Sequence, residues 1–309
     1  MTDLDVFDLD VVVRPFLRGA EVWAPTDDGA ALEFVSGSYG QFARFEEVSR
    51  RTRFAIGEGL PGAAWAERRP IVMPTEDPRF LRSGAALEAG ISCAVAVPVF
   101  CGSDLRGVVV FLCGDRDRAG AIEVWGGGGS SELTLVDGYF GTLSGFERVA
   151  RATSFAKGVG LAGEVWASAM AVVVEDLAHS ARFLRSTAAA EAGVTVGLGY
   201  PVIAPGAPPH VVTFLSAMGT PIARWIEIWV ATQDGSALRF DAGYSCEGAD
   251  LPARYQDAVV NNPDGPLGRV LSCGVPLVSD YAGLDGSTGL IALPVFRDGR
   301  CAAVVALIS

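Results

Sequence analysis

Residues 54–65 read Phe54-Ala55-Ile56-Gly57-Glu58-Gly59-Leu60-Pro61-Gly62-Ala63-Ala64-Trp65, and the stretch returns 101 positions later at residues 155–166. The second copy keeps the Phe, the first Ala, all three glycines, the Leu and the Trp. Glycines favour turns with positive φ, and the apolar residues after them are typical of the start of a helix. The repeat therefore predicts a loop that leads into a short helix, used twice in one chain.

Three further segments begin alike, with Glu21-Val22-Trp23, Glu123-Val124-Trp125 and Glu227-Ile228-Trp229. Each is followed by a turn cluster and a second alternating run, a pattern that predicts a β-hairpin. We therefore divide the chain into three units at residues 1–115, 116–219 and 220–309. The third unit keeps only residues 264–271 of the glycine loop and is too short to hold the arginine-containing helix described below, so we predict that it is abridged.

The composition excludes several functional classes. The chain has 309 residues, a net charge of −12 and 50% hydrophobic residues, so it can bury real cores but lacks the cationic surface that nucleic acid or anionic membranes require. No apolar run approaches the roughly 20 residues of a membrane span, and residues 1–10 are acidic where a secretory peptide is basic. We expect a cytoplasmic protein with no nucleic-acid or membrane partner.

Cysteines and histidines limit the possible chemistry. The six cysteines never occur in CxxC spacing, so free thiols are expected rather than a disulfide framework. Only His179 and His210 are present, so we predict no metal site and no catalytic triad.

The order of elements, hairpin, short helices, strand, helix and strand pair, resembles the GAF domain. The resemblance rests on corresponding residues of the first two units: Gly59-Leu60-Pro61-Gly62, Asp77, Ala86, Gly90-Ile91, Val97-Pro98-Val99 and Gly107-Val108, then Gly160-Leu161-Ala162-Gly163, Asp176, Ala189, Gly193-Val194 and Pro201-Val202. It implies an α+β fold of three tandem GAF-like units, each a central, mainly antiparallel sheet of five to six strands with short helices mainly on one face. Such folds host many ligands and some host none.

The usual flanking helices of the family are missing between the units. Only about seven residues separate the strand that ends near Cys113 from the one that begins near Ala121. Strands such as residues 108–112 and 302–307 are continuously apolar, which indicates that both of their faces are covered. We therefore predict that the uncovered sheet faces pack on one another, either within the chain or across a homodimer.

Arginines three residues apart, which are expected to share one face of a helix, mark the best candidate for a ligand site. In the resembled family this segment covers the ligand pocket, so its arginines could bind the carboxylate or phosphate group of a small anionic ligand. The candidate ligand-binding residues are Arg79, Arg82, Asp77 and Trp65 in unit 1, and Arg182, Arg185, Asp176, Trp166 and His179 in unit 2. The alternatives are ion pairs with neighbouring carboxylates, namely Glu76, Asp77 and Glu88 or Glu175, Asp176 and Glu191, and core packing of the two tryptophans.

The leading functional interpretation is a non-enzymatic sensory or regulatory protein, with the cofactor, if any, unknown. A structural or assembly module without ligand is the first alternative. The second is an enzyme resembling the GAF-fold methionine sulfoxide reductases, which would use Cys93, Cys101 and Cys113, although the second unit has no cysteine. A covalent bilin would need a Cys-His dipeptide, which the sequence lacks.

Overall fold

The computed structural model describes residues 15–114, 118–127, 131–280 and 289–309. It contains three six-stranded sheets, one for each unit. The strands of unit 1 are β1 (Leu17–Pro25), β2 (Ala31–Ser38), β3 (Arg53–Ala55), β4 (Ile71–Pro74), β5 (Ile91–Cys101) and β6 (Asp104–Gly114). Those of unit 2 are β7 (Ala119–Gly126), β8 (Glu132–Gly141), β9 (Ser154–Ala156), β10 (Val172–Val174), β11 (Val194–Val202) and β12 (His210–Ala217). Those of unit 3 are β13 (Trp225–Ala231), β14 (Leu238–Ser245), β15 (Val259–Val260), β16 (Leu277–Ser279), β17 (Leu290–Arg297) and β18 (Arg300–Ile308).

The helices of the described residues are short and lie between the strands. They are α1 (Ala43–Arg51), α2 (Gly59–Glu67), α3 (Ser83–Glu88), α4 (Ser144–Arg151), α5 (Gly160–Ser168), α6 (Ser186–Ala192), α7 (Leu251–Arg254) and α8 (Pro266–Cys273). None of them is long and apolar enough to cross a membrane.

All three sheets have the same strand order. The first is β3-β2-β1-β6-β5-β4 with antiparallel neighbours throughout, and the other two repeat it with the corresponding strands. The predicted α+β fold of three units, each with a mainly antiparallel sheet, is confirmed. The exact unit boundaries stay a prediction, although each sheet draws its strands from one predicted unit.

The third unit keeps all six strands, and its shortening lies between β16 and β17. Ten residues separate these strands, whereas 16 and 19 separate the equivalent strands of units 1 and 2. The predicted absence of an arginine helix in unit 3 falls mostly on residues 281–288, which lie outside the described residues.

The glycine repeat is explained by close contact between a helix and the strand before it. A Cβ atom on Gly62 would lie 2.1 Å from the carbonyl oxygen of Ala55, and one on Gly163 would lie 2.3 Å from that of Ala156. At the equivalent Gly268 of unit 3 the carbonyl oxygen of Asn262 would be 1.9 Å away. Since real Cβ atoms never approach backbone oxygens so closely, all three units need glycine here to seat the short helix on its sheet.

We expect Gly62→Ala to lower the free energy of unfolding by at least about 2 kcal/mol, because overpacking against a rigid backbone forces the helix to shift. Urea unfolding at pH 7 measures it. The matched control is Gly84→Ala in α3, where a Cβ meets nothing within 4 Å and φ is not positive. That change should be neutral or stabilise by up to about 1 kcal/mol. Equal effects of the two substitutions would contradict this explanation.

The three sheets pack their helix-free faces together in one common core. Alternate residues of β6 divide between two clusters, so that Val109 and Phe111 enter the common core while Val108 and Val110 face the helices of unit 1. The rings of Phe111 and Phe214, from units 1 and 2, lie 4.9 Å apart in this core. Both faces of the apolar strands are thus covered within a single chain. A homodimer stays a prediction.

The units contact one another in a cyclic order. Edge strand β4 of unit 1 contacts β8 of unit 2, β10 of unit 2 contacts β14 of unit 3, and β16 of unit 3 contacts β2 of unit 1. At the first junction the Val72 amide donates to Asp137 at 3.2 Å, and at the last the Val278 amide donates to Ser36 at 3.1 Å. The equivalent residue at the middle junction is Ala242, which has no side-chain acceptor. Each covered edge strand is thereby protected from pairing with another chain.

Candidate functional site

A buried glutamate lies two residues before a tryptophan on the first strand of every unit. Because side chains alternate along a strand, residues i and i+2 point to the same face, here the face covered by helices. The Trp23 indole donates to Glu21 at 3.1 Å, that of Trp125 to Glu123 at 3.0 Å, and that of Trp229 to Glu227 at 2.8 Å.

In unit 1 the carboxylate of Glu21 binds Arg82 through two parallel hydrogen bonds. The Nη1 and Nη2 atoms of Arg82 lie 2.5 and 2.8 Å from Oε1 and Oε2. Tyr39 and Ser49 donate to the same carboxylate at 2.9 and 2.7 Å. The guanidinium also lies over the Phe45 ring, 4.7 Å from its centroid. Both charges are buried, and the carboxylate is saturated with donors.

Unit 2 repeats the pair with different supporting residues. Arg185 binds Glu123 at 2.5 and 2.7 Å, and Thr213 donates to the same carboxylate at 2.7 Å. Phe140 occupies the position of Tyr39, so the hydroxyl donor comes from a neighbouring strand instead. The buried Nε atom of Arg185 has no hydrogen-bond partner among the described residues.

In unit 3 the glutamate remains but its neighbours change. Tyr255, just after α7, donates to Glu227 at 2.9 Å. Burial and the nearby Glu227 carboxylate raise the pKa of Tyr255 to about 12, so the phenol stays a donor at neutral pH. The Glu-x-Trp pair is therefore common to the three units, whereas the buried Arg-Glu pair is described in the first two.

Electrostatics hold Glu21 in its charged form. Burial alone would raise the pKa of this carboxyl, but the Arg82 charge and hydrogen bonds from Arg82, Ser49 and Tyr39 together hold the pKa below its ordinary value. The carboxyl is thus a fixed anion inside the fold.

We expect the Glu21 contribution to stability to be complete above the ordinary carboxyl pKa of the unfolded chain and to disappear as the pH falls through the lower folded pKa. The reason is that the unfolded chain binds the proton more readily than the folded one. Carboxyl ¹³C NMR of Glu21 between pH 7 and pH 3 measures the folded pKa directly. A midpoint at or above the ordinary carboxyl pKa of glutamate in an unfolded chain would contradict the ion pair.

The predicted site residues of unit 1 are not brought together. Arg79 and Arg82 precede α3 rather than lying on one face of it, which corrects the predicted shared helix face. Arg79 is exposed and pairs with Asp77 at 2.7 Å, which holds the pKa of Asp77 at about 2. Trp65 is partly buried against the core of the unit. The Asp77 pairing is one of the two alternatives drawn from sequence, but Glu21 was not among the expected partners of Arg82.

The predicted site residues of unit 2 are not brought together either. Arg182 is exposed and pairs with Glu164 at 2.5 Å, a partner supplied by α5. His179 lies 2.8 Å from Asp176, and both side chains are exposed. Trp166 packs at the edge of the unit's core. Of the predicted ligand-binding residues, the structure buries only the two arginines that pair with the internal glutamates.

The cysteines named for a reductase do not form an accessible thiol site. Cys93 and Cys113 lie directly opposite each other on β5 and β6 and are buried in the common core. Burial raises the pKa of Cys113 well above its usual range, which keeps it a thiol. Cys101 is partly exposed at the far end of β5. Reductase chemistry needs a reactive thiolate with a resolving partner, and this arrangement is unfavourable to it.

Sequence reasoning missed Glu21 and Glu123 as site residues although a signal was present. The Glu-x-Trp motif predicts the start of a hairpin, and it contains a second signal. Its alternation places a carboxylate on the same face as a core tryptophan, where a charge is rare unless it is paired. A search for a repeated buried cation would have led to Arg82 and Arg185.

Comparison with known proteins agrees with this fold. The family model of the GAF domain matches residues 8–137, which comprise most of the first unit, β7 and the first part of β8. No curated protein matches the chain. The family match covers less than half of the chain and extends from the first unit into the second, whereas the three sheets of one strand order describe an α+β protein of three GAF-like units.

Several solved structures are similar over about a third of the chain. A GAF domain from A. aeolicus in an inactive state is 19% identical, with 32% of this chain and 58% of that chain covered and a TM-score of 0.26. A free methionine-R-sulfoxide reductase from Neisseria meningitidis is 17% identical, with 31% and 52% covered and a TM-score of 0.25. A GAF domain/HD domain protein from Geobacter sulfurreducens is 18% identical, with 32% and 63% covered and a TM-score of 0.27. The chain thus spans little more than half the length of these proteins, and similarities of this size carry no argument about its function.

Proposed function

We propose that this chain is a non-enzymatic sensory or regulatory protein whose three units act as one body and whose signals enter at the junctions or outer surfaces of the units. The observation that carries the proposal is that Glu21 and Glu123 occupy the guanidiniums of Arg82 and Arg185. An anionic ligand at these arginines would have to displace a buried carboxylate that already receives a bidentate pair and further donors. The interiors of units 1 and 2 are in this sense occupied by their own side chains.

The common core supports the proposal that the three units act as one body. Each sheet contributes apolar residues to one shared cluster, so a change in one unit repacks against the other two. A ligand can shift such an arrangement only through contacts that differ between two states. A ligand bound at a junction contacts two units directly. A ligand bound inside one unit affects the other units only through the side chains that lie between.

Binding of a small anion beneath the arginine segments, as predicted from sequence, remains the competing candidate. The unpartnered Nε atom of Arg185 is the one feature that favours it. A cytoplasmic location also remains a prediction, which the six free cysteines support, because thiols persist in reducing compartments.

The two candidates differ in what happens to the indole N–H groups of Trp23 and Trp125. These groups donate to the internal glutamates, so their ¹H-¹⁵N resonances report on any displacement of the carboxylates. Titration of the ¹⁵N-labelled chain with inorganic phosphate, succinate and L-glutamate should leave both resonances unmoved. The Trp229 indole, which donates to Glu227 in unit 3, is followed in the same spectra for comparison.

Saturable movement of the Trp23 or Trp125 resonance with any of these anions would contradict the proposal and favour the ligand site predicted from sequence. Turnover of methionine sulfoxide with a thiol donor, abolished by Cys101→Ala, would contradict the non-enzymatic part.

A further inference from the structure

Three of the six cysteines converge where unit 3 meets unit 1. Cys101 ends β5 of unit 1, Cys273 ends α8 of unit 3, and Cys301 lies at the start of β18. Cys101 and Cys301 are partly exposed, and Cys273 is exposed. The other two junctions both involve unit 2, which contains no cysteine. Thiol chemistry between two units of one chain is therefore restricted to this junction.

The free ends of two β-hairpins meet beside these thiols. The Cys101 thiol, at the end of the β5–β6 hairpin, donates to the carbonyl oxygen of Gly299 in the turn between β17 and β18, at 3.5 Å. Cys301 follows that glycine by two residues. Close by, Arg106 of β6 donates to the carbonyl oxygen of Cys273. Two hydrogen bonds thus tie the hairpin of unit 1 to unit 3 at the place where the cysteines lie.

Cys301 is the thiol that both of the others approach. It packs against the helix-side core of unit 3, and burial raises its pKa to about 12, with the nearby sulfurs of Cys101 and Cys273 acting in the same direction. Because the thiolate is the form that reacts with oxidants, a protonated Cys301 is not the first to be oxidised. It is suited to react second, when movement of the hairpin ends exposes it and so lowers its pKa.

Both hairpin ends have room to bring the two sulfurs together. A Cβ atom on Gly102 or on Gly299 would meet nothing within 4 Å, so both turns face open space. A disulfide needs its two Cα atoms within about 7 Å, and turns move more readily than the strands that they connect. No group of three or more His, Cys, Asp or Glu side chains in the described residues could hold a metal ion, which favours chemistry between two thiols.

We propose that Cys101 and Cys301 form an oxidative modification site, at which hydrogen peroxide produces a reversible disulfide that joins unit 1 to unit 3. The inference goes beyond the proposed function, because it assigns a covalent modification that needs no ligand inside or between the units. The bridge would link positions about 200 residues apart. It would fix the junction at which β16 of the last unit contacts β2 of the first.

The reaction consumes one hydrogen peroxide for each disulfide. The Cys101 thiolate attacks one peroxide oxygen, the O–O bond breaks, and the departing hydroxide takes up a proton to become water, so that Cys101 becomes a sulfenic acid. The Cys301 sulfur then attacks the Cys101 sulfur, the S–O bond breaks, and the hydroxide leaves as water with the Cys301 proton. Two thiols have lost two electrons to the peroxide. A small dithiol restores both thiols by exchange and is itself oxidised to a disulfide.

The test treats the reduced full chain with one equivalent of hydrogen peroxide at neutral pH, alkylates the remaining thiols and maps the peptides by mass spectrometry without reduction. A peptide that links Cys101 to Cys301 should be the main product, and four of the six thiols should stay free. Dithiothreitol should reverse the change. The oxidised chain should melt about 3–8 °C higher, because the bridge constrains the unfolded chain.

Serine variants separate the roles of the thiols. Cys301→Ser should stop the reaction at the sulfenic acid of Cys101, which dimedone traps, and Cys101→Ser should form no bridge. Cys273→Ser is the matched control at the same junction and should keep the bridge, as should Cys246→Ser elsewhere in unit 3. Circular dichroism of each reduced variant checks its fold. Peptide mapping of the unaltered chain decides the linkage even where a variant fails to fold.

Three results would overturn the inference: no disulfide within the chain, a main product that links Cys93 to Cys113, or one that links Cys273 to Cys301. The proposed function fails in a different experiment, since movement of the tryptophan indole resonances with added anions is measured on the reduced chain. Either result leaves the other open to its own test.

Discussion

Arg185→Leu is expected to lower the free energy of unfolding by about 3–5 kcal/mol, because it leaves the Glu123 carboxylate buried without its cation. Both side chains are almost fully buried, so solvent cannot screen or replace the lost charge. Urea unfolding followed by circular dichroism measures the effect. The matched control is Arg182→Leu, three residues earlier in the same segment. Its side chain is 53% exposed, so its loss should cost no more than about 1 kcal/mol.

Removing both charges separates the effect of the unpaired Glu123 carboxylate on stability from the effect of lost packing. The double variant Glu123→Leu with Arg185→Met should recover a large part of the stability, because a buried ion pair replaced by apolar residues of similar volume is often neutral. A double variant no more stable than Arg185→Leu would show that the hydrogen bonds of Trp125 and Thr213 to Glu123, rather than the charge, hold the segment in place. Similar costs for Arg182→Leu and Arg185→Leu would contradict the buried pair itself.

Phe111→Ala and Phe214→Ala are each expected to lower the free energy of unfolding by about 3–5 kcal/mol, because each opens a cavity where units 1 and 2 meet. Their rings are fully buried at a centroid distance of 4.9 Å with a 61° interplanar angle. The two costs should not add, since a contacting aromatic pair contributes about 0.5–1.5 kcal/mol beyond its buried area. A double-mutant cycle in urea measures this coupling.

The same experiment tests whether the units unfold together. With a shared core, either substitution should shift a single transition for the whole chain rather than split it. Leu87→Ala is the control, because its side chain is 81% exposed on α3 and its loss should change stability by less than about 0.5 kcal/mol. Two separate transitions, only one of which moves, would show that the units fold independently and would contradict the common core.

The repeat allowed much of the fold to be predicted from sequence. Matching glycines and matching Glu-x-Trp hairpins gave three units, and the alternating runs gave antiparallel strands. The continuously apolar strands predict that the sheet faces pack on one another. In the structure Val108 and Val109 belong to two different clusters, one on each face of β6. Local sequence carried this information because strand period and turn chemistry act over a few residues.

The site was harder to predict because its contacts are distant in sequence. Arg82 meets Glu21 across 61 positions, and no local rule chooses Glu21 over the nearer Glu76 or Glu88. The spacing of Arg79 and Arg82 suggested one helix face, but both precede the helix, and one points outward while the other points into the core.

The cyclic order of the junctions has a consequence for self-association. An edge strand of each unit contacts the next unit, and an edge strand of the third unit contacts the first. Head-to-tail contacts of this kind form an open filament when the rotation between neighbours does not close a ring. Here the third copy returns to the first, so no growing end remains. Because all three units belong to one chain, their ring of contacts closes within the molecule at any protein concentration, whereas separate subunits would have to meet by diffusion.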